Sequence, residues 1–130
     1  MNRDTQIQNI RPQINVEDLT NEPMERFQNH TLRQILKLQN DALLAICKDF
    51  LQNKYKNFEG RDQTIKNSLL HEALKTDQAL KKLLYGMVIG LFTIEELNFY
   101  ILHKSEINKR LVEFIFKRLS TQLVFFPQTP

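Results

Sequence analysis

Nucleophilic chemistry on this chain would have to start from Cys47, its single thiol. A catalytic thiol needs a base and an orienting group within reach, and some exposure beside positive charge. Cys47 shares a helical face with Leu36, Leu43 and Phe50, and only Lys48 brings charge nearby. The spacing therefore predicts a buried, inert, small hydrophobe. The three histidines are His30, His71 and His103. Helical metal sites use Glu-x-x-His or His-x-x-x-His spacing, which puts the ligands on one face. Phe27, Ser68 and Tyr100 occupy the positions three before these histidines. His71-Glu72 opens like a zinc-protease motif, but Lys75 stands where the second histidine belongs. With three glycines in all, a Gly-rich phosphate loop is absent too. The expected catalytic and metal sets are empty, no cofactor is expected, and the chain reads as a non-enzyme.

Other residues are conspicuous for costs that something must offset. Gly86 and Gly90 lie four apart on one side of an apolar helix. Each costs ~1 kcal/mol there relative to alanine. Close packing of another helix is the favoured account; the alternative is a ligand pocket near Gly86, Gly90, Tyr85, Gln39 and Asn40. Gln39 and Asn40 interrupt the apolar stripe of the first helix, as Arg118 and Gln122 do in the last. A buried amide left unpaired costs ~1–3 kcal/mol, so a hydrogen-bonded network or a helix break is expected at 39–40 ahead of a polar pocket. Arg118 is given no role beyond a conceivable pairing with an acid at an interface. The last helix is apolar over more than half its circumference. Leu111, Val112, Phe114, Phe116, Leu119 and Leu123, followed by Phe125 and Phe126, form the candidate interface with a second copy or a protein partner.

Helices must position all of these. The 130 residues are 42% hydrophobic and 25% charged, with three Gly and four Pro, which suits one domain of long helices. In residues 1–20, Ile7, Ile10, Ile14, Val16 and Leu19 are scattered among polar residues, and Pro12 forbids a continuous helix. An extended or flexible arm is expected there, docked on its own domain or on a second subunit. The helical domain then spans 21–130. Thr20 or Asn21 caps a first helix reaching about Phe58, on the order of 50 Å if unbroken. That length is large for the domain, so the helix is expected to break near Gln39-Asn40-Asp41 or to project from the core. Gly60 marks a stop, Asp62 caps a helix to Thr76, and Asp77 caps the next. That next helix (Leu80, Leu83, Leu84, Met87, Val88, Ile89, Leu91) is apolar nearly all round and should sit centrally. Thr93-Ile94-Glu95-Glu96 is a capping box that puts a corner after Phe92. Ser105 offers a cap for the last helix, which Pro127 ends. The result is an all-α bundle of four to five helices, antiparallel or orthogonal.

Net charge is +3 with acids and bases interleaved, which implies at most a weak preference for acidic partners. One cysteine cannot make an internal disulfide, so the fold does not rely on an oxidising compartment. The N-terminus is polar, without the apolar stretch of a secretory signal. The longest apolar run, Leu83 to Phe92, is half of what a membrane span needs and is bracketed by Lys81-Lys82 and Glu95-Glu96. A cytoplasmic location away from membranes is expected.

Two stretches, Phe27-Gln28-Asn29-His30-Thr31-Leu32-Arg33-Gln34-Ile35-Leu36-Lys37-Leu38-Gln39-Asn40-Asp41 and Gly86-Met87-Val88-Ile89-Gly90-Leu91-Phe92-Thr93-Ile94-Glu95-Glu96, resemble an uncharacterised family of small helical bacterial proteins. The resemblance covers most of the chain after the arm and implies an all-helical fold. Some members of that family carry the label "glyoxalase". Glyoxalase I-like proteins use paired βαβββ modules with His and Glu ligands, and glyoxalase II-like proteins use a His-x-His-x-Asp-His cluster. This chain has neither pattern, and no activity is carried over.

Three functional readings follow. The first is a non-enzymatic interaction or regulatory module that self-associates or binds a protein partner. The second is nucleic-acid binding through a degenerate helix-turn-helix at 93–119, with Lys104, Lys109 and Arg110 near phosphates. Asn98 where a small residue is needed, a turn without Gly, and the charges of Glu95, Glu96 and Glu106 all count against it. The third is a small-molecule pocket between helices.

Overall fold

The computed structural model describes residues 2–14 and 21–123, and their regular structure is entirely helical. None of these helices is long and apolar enough to cross a membrane. The first, α1 (Arg3–Ile10), corrects the expectation of an extended arm. Asn2 caps it by accepting from the Thr5 amide at 2.9 Å. Pro12 forces Arg11 into an extended conformation, so the proline stops a helix rather than preventing one upstream. Val16, Leu19 and the expected cap Thr20 lie outside the described residues.

The long helical body comprises α2 (Pro23–Phe27), a wider π turn (Gln28–Leu32) and α3 (Arg33–Lys54). Its N-cap is Glu22, without a side-chain cap bond, so Asn21 does not play that part. No break occurs at Gln39-Asn40-Asp41, where α3 runs straight through. The departure from regular winding falls earlier, at Gln28–Leu32. The helix also stops at Lys54, ahead of the Gly60 stop. Asn57 takes up the left-handed turn (φ 55°), and Phe58–Gly60 forms a short 3-10 turn against it.

Local caps explain the next boundaries. Asp62 accepts from the Ile65 amide to start α4 (Gln63–Thr76). Asp77 accepts from the Leu80 amide to start α5 (Gln78–Ile89). Thr93 and Glu96 close the reciprocal box at the start of α6 (Ile94–Leu102). The final helix, α7 (Lys104–Ser120), begins without a side-chain cap; Ser105 already lies inside its first turn. The single residue His103 joins α6 to α7, leaving no room for a separate capping residue.

The core draws more heavily on α3 and α7 than on α5, which was expected to be buried nearly all round. Ile35, Leu36, Leu43, Cys47 and Leu51 of α3 meet Ile107, Leu111, Ile115 and Leu119 of α7 in one buried cluster. From α5 only Leu80, Leu84 and Val88 are buried, while Leu83 is half exposed and Ala79 and Gly86 face solvent. Hydropathy counted those outward apolar and small residues as core, though a helix on the rim needs only one buried stripe.

Candidate functional site

Four residues of the expected α7 interface belong to the chain's own core. Leu111 and Leu119 are fully buried, Val112 and Leu123 are buried, and Phe114 and Phe116 are half-buried against the same core. Much of the apolar arc is covered by α3, α4, α5 and α6 of the same chain. Phe125 and Phe126 lie outside the described residues.

Close packing at the glycines is likewise corrected. A Cβ on Gly86 would meet nothing within 4 Å, and one on Gly90 only the Gly86 carbonyl of its own helix. Of the alternatives for the amides, the structure takes the network. Gln39 Nε2 donates to the Met87 carbonyl at 3.0 Å and closes an orphan of the last turn of α5. Asn40 and Gln122 exchange two amide hydrogen bonds, of 2.8 and 2.7 Å. Arg118 Nη1 donates to the same Asn40 oxygen at 3.3 Å, so Arg118 leans on an amide rather than on an acid.

The groups that could do chemistry stay apart. Cys47 is fully buried, and burial pushes its thiol up to about 12. His71 Nε2 lies 3.4 Å from Glu113, with its ring over Phe116, while His103 lies against Phe99 and His30 sits in the π turn. Among the described residues no group of three or more His, Cys, Asp and Glu is placed to hold a metal ion.

Two polar constructions went unnoticed in the sequence. In the first, α1 is seated on the α5–α6 corner by charge. The Arg3 guanidinium donates to the Phe92 and Gly90 carbonyls at 2.9 and 3.0 Å, and Asp4 accepts from the Ile94 amide at 3.1 Å. Cation at the C-terminal end of α5 and anion at the N-terminal end of α6 both match the helix dipoles. Arg11, 7% exposed, donates to both Glu96 oxygens and to Gln34 Oε1 at 3.0 Å. Glu96 also accepts from Thr31 Oγ1 at 2.7 Å and from the Thr93 amide at 2.8 Å. Burial opposes the charge on Glu96, but the bonds from Arg11, Thr31 and Thr93, with the Arg11 charge, outweigh it and hold the carboxyl below its usual value.

The second is a groove of about 700 Å³ bounded by α4, α5 and α7. Lys75, Lys81, Lys82 and Lys109 stand around it, Tyr85 and Val112 line it, and Ser105, Gln78 and Asn108 add polar groups. Its one carboxylate, Glu113, is already engaged by Lys75 at 3.8 Å and by His71. Lys81 Nζ donates to the Lys75 carbonyl, whereas Lys82 and Lys109 make no ion pair among the described residues. Of the earlier candidates, Tyr85 and Val112 meet here, while Gly86, Gly90, Gln39 and Asn40 do not line it. Burial, and secondarily Tyr100, raise the Tyr85 phenol above its ordinary value, so it stays a neutral donor. Gln78, Lys82 and Tyr85 form a helical stripe on α5, but Lys75 belongs to the end of α4, across the extended cap Asp77. Nothing local announced that Lys109 would face it.

The α6–α7 pair does not have helix-turn-helix geometry, since one residue joins the helices where that motif uses about three to four. No protein-family model, no curated protein and no solved structure matches this chain.

Proposed function

We propose that this chain is a non-catalytic helical interaction module whose α5–α7 groove takes an acidic segment of a protein partner. The observation that carries the reading is the charge asymmetry of the groove: four lysines against one carboxylate that is already paired. Lysine ammoniums on long stems are hydrated point charges that follow a loosely ordered anionic chain without fixed geometry. Such a surface speeds encounter and favours acidic over neutral partners. Tyr85 and Val112 on the lining offer apolar contact for a side chain between the acids. Duplex nucleic acid fits less well, because Glu106 and Glu113 share the outer face of α7 with Lys109. Leu111, Leu119 and Leu123 of α7 are taken up by the chain's own core, which leaves the lysine groove the better-supported partner surface.

A fluorescent peptide of alternating Glu and aliphatic residues tests this by anisotropy against a Gln-substituted control. The acidic peptide should bind, weaken steeply with added salt, and lose at least tenfold affinity on the double substitution Lys82→Glu, Lys109→Glu. Equal binding of the Gln peptide, indifference to the double substitution, or tighter binding of duplex DNA would each overturn the proposal.

A further inference from the structure

A different cleft, between α3 and α7, gathers positive charge with no acidic side chain lining it among the described residues. It measures about 490 Å³ and is bounded by Arg33, Lys117 and Arg118, with Leu36 and Phe114 as apolar lining and Thr121 and Gln122 at one end. No carboxylate lines it, and among the described residues none of the three cations makes an ion pair. The nearest acid in the network, Asp41, is held by Asn40 Nδ2 at 3.1 Å and stays outside the lining.

Arg118 is not free to swing away. Its Nη1 rests on Asn40 Oδ1, and Asn40 is clamped by the paired bonds to Gln122. The fold thus holds one guanidinium near another. Burial, and then the Arg33 charge, press the Arg118 guanidinium below its ordinary value, the direction expected of two cations held near each other. The helix dipole accounts for part of the set, because Lys117 and Arg118 fall in the last turn of α7. It does not account for Arg33, which sits inside the continuous 23–54 helical body, far from that body's C-terminal end.

We infer that this cleft is a binding site for a small phosphate monoester, its dianion set between the Arg33 and Arg118 guanidiniums and its organic body against Phe114 and Leu36. A dianion offsets two cations at once, and planar guanidinium forks match phosphate oxygens in pairs. A lone carboxylate would neutralise only one of them. The apolar lining is what distinguishes a monoester from the inorganic ion. This assignment is independent of the lysine groove on the other side of α7.

Calorimetry with phenyl phosphate in low-chloride buffer tests it, with inorganic phosphate and a phosphoserine peptide as parallel arms. Phenyl phosphate should bind one to one and more tightly than inorganic phosphate. Arg33→Gln and Arg118→Gln should each weaken it about tenfold or more. The Lys82→Glu, Lys109→Glu protein should bind it as the parent does. Arg33 is exposed, so Arg33→Gln folds, and relief of the repulsion should raise its Tm in phosphate-free buffer while abolishing the rise that phenyl phosphate gives the parent. Absence of binding, indifference to Arg33→Gln, equal affinity for inorganic phosphate, or much tighter binding of the phosphopeptide would overturn the assignment.

Discussion

Replacing Arg11 by alanine removes the centre of the α1 seat, and the cost can be worked from its contacts. The Arg11 and Glu96 side chains are 5% and 18% exposed, so the pair is close to buried. Removing one partner of a buried pair costs ~3–5 kcal/mol, because the other charge stays behind unpaired. Glu96 keeps the Thr31 hydroxyl and the Thr93 amide, and it is partly wetted, which places the loss at the lower end, about 3 kcal/mol. The side-chain oxygen of Gln34 also loses its donor. A second consequence is local. With Ile7 the only buried residue in α1, and an eight-residue helix marginal by itself, α1 should come off its seat. The pH dependence has a definite sign. Glu96 titrates lower in the folded parent than in the unfolded chain, so its contribution is full above the unfolded value and fades as pH falls through the folded one. In the variant, burial without Arg11 raises that carboxyl. The difference between parent and variant should therefore be largest near neutrality and shrink as pH falls through the lowered folded-state value. Urea unfolding followed by circular dichroism measures the loss, and hydrogen exchange over residues 3–10 measures the detachment. A stability change under about 0.5 kcal/mol at neutral pH, or α1 amides as protected as in the parent, would refute the reasoning.

Two further outcomes follow from single positions. Gly86→Ala should stabilise the protein by about 1 kcal/mol in urea, since the new Cβ meets nothing within 4 Å and the helix gains propensity; a loss of stability would mean that the open side of α5 is in fact covered. Cys47 should resist an aromatic disulfide reagent in the native protein and react only at the rate of unfolding, because its thiol is fully buried and raised to about 12; fast native labelling at neutral pH would contradict that burial.

Helical class, the caps at Asp62, Asp77 and Thr93, and the inward stripe Leu43, Cys47, Leu51 were all legible in the sequence. Each depends on groups within about four residues of one another, the distance over which a helix turn or a cap bond acts. The joint at His103 was missed because the Ser105 cap signal is local while the direct abutment of α6 and α7 is not. The α1 helix was missed because its stability comes from Arg3 and Arg11 bonding carbonyls and a carboxylate some 80 to 90 residues along the chain. Periodicity also marked which faces of α5 and α7 are apolar but not what lies opposite them. Tertiary packing put α7 inside and left Gly86 facing water. The same packing brought Lys109 to Lys82 and Arg33 to Arg118, since like charges on separate helices leave no local signature until the core beneath them sets the spacing between those helices.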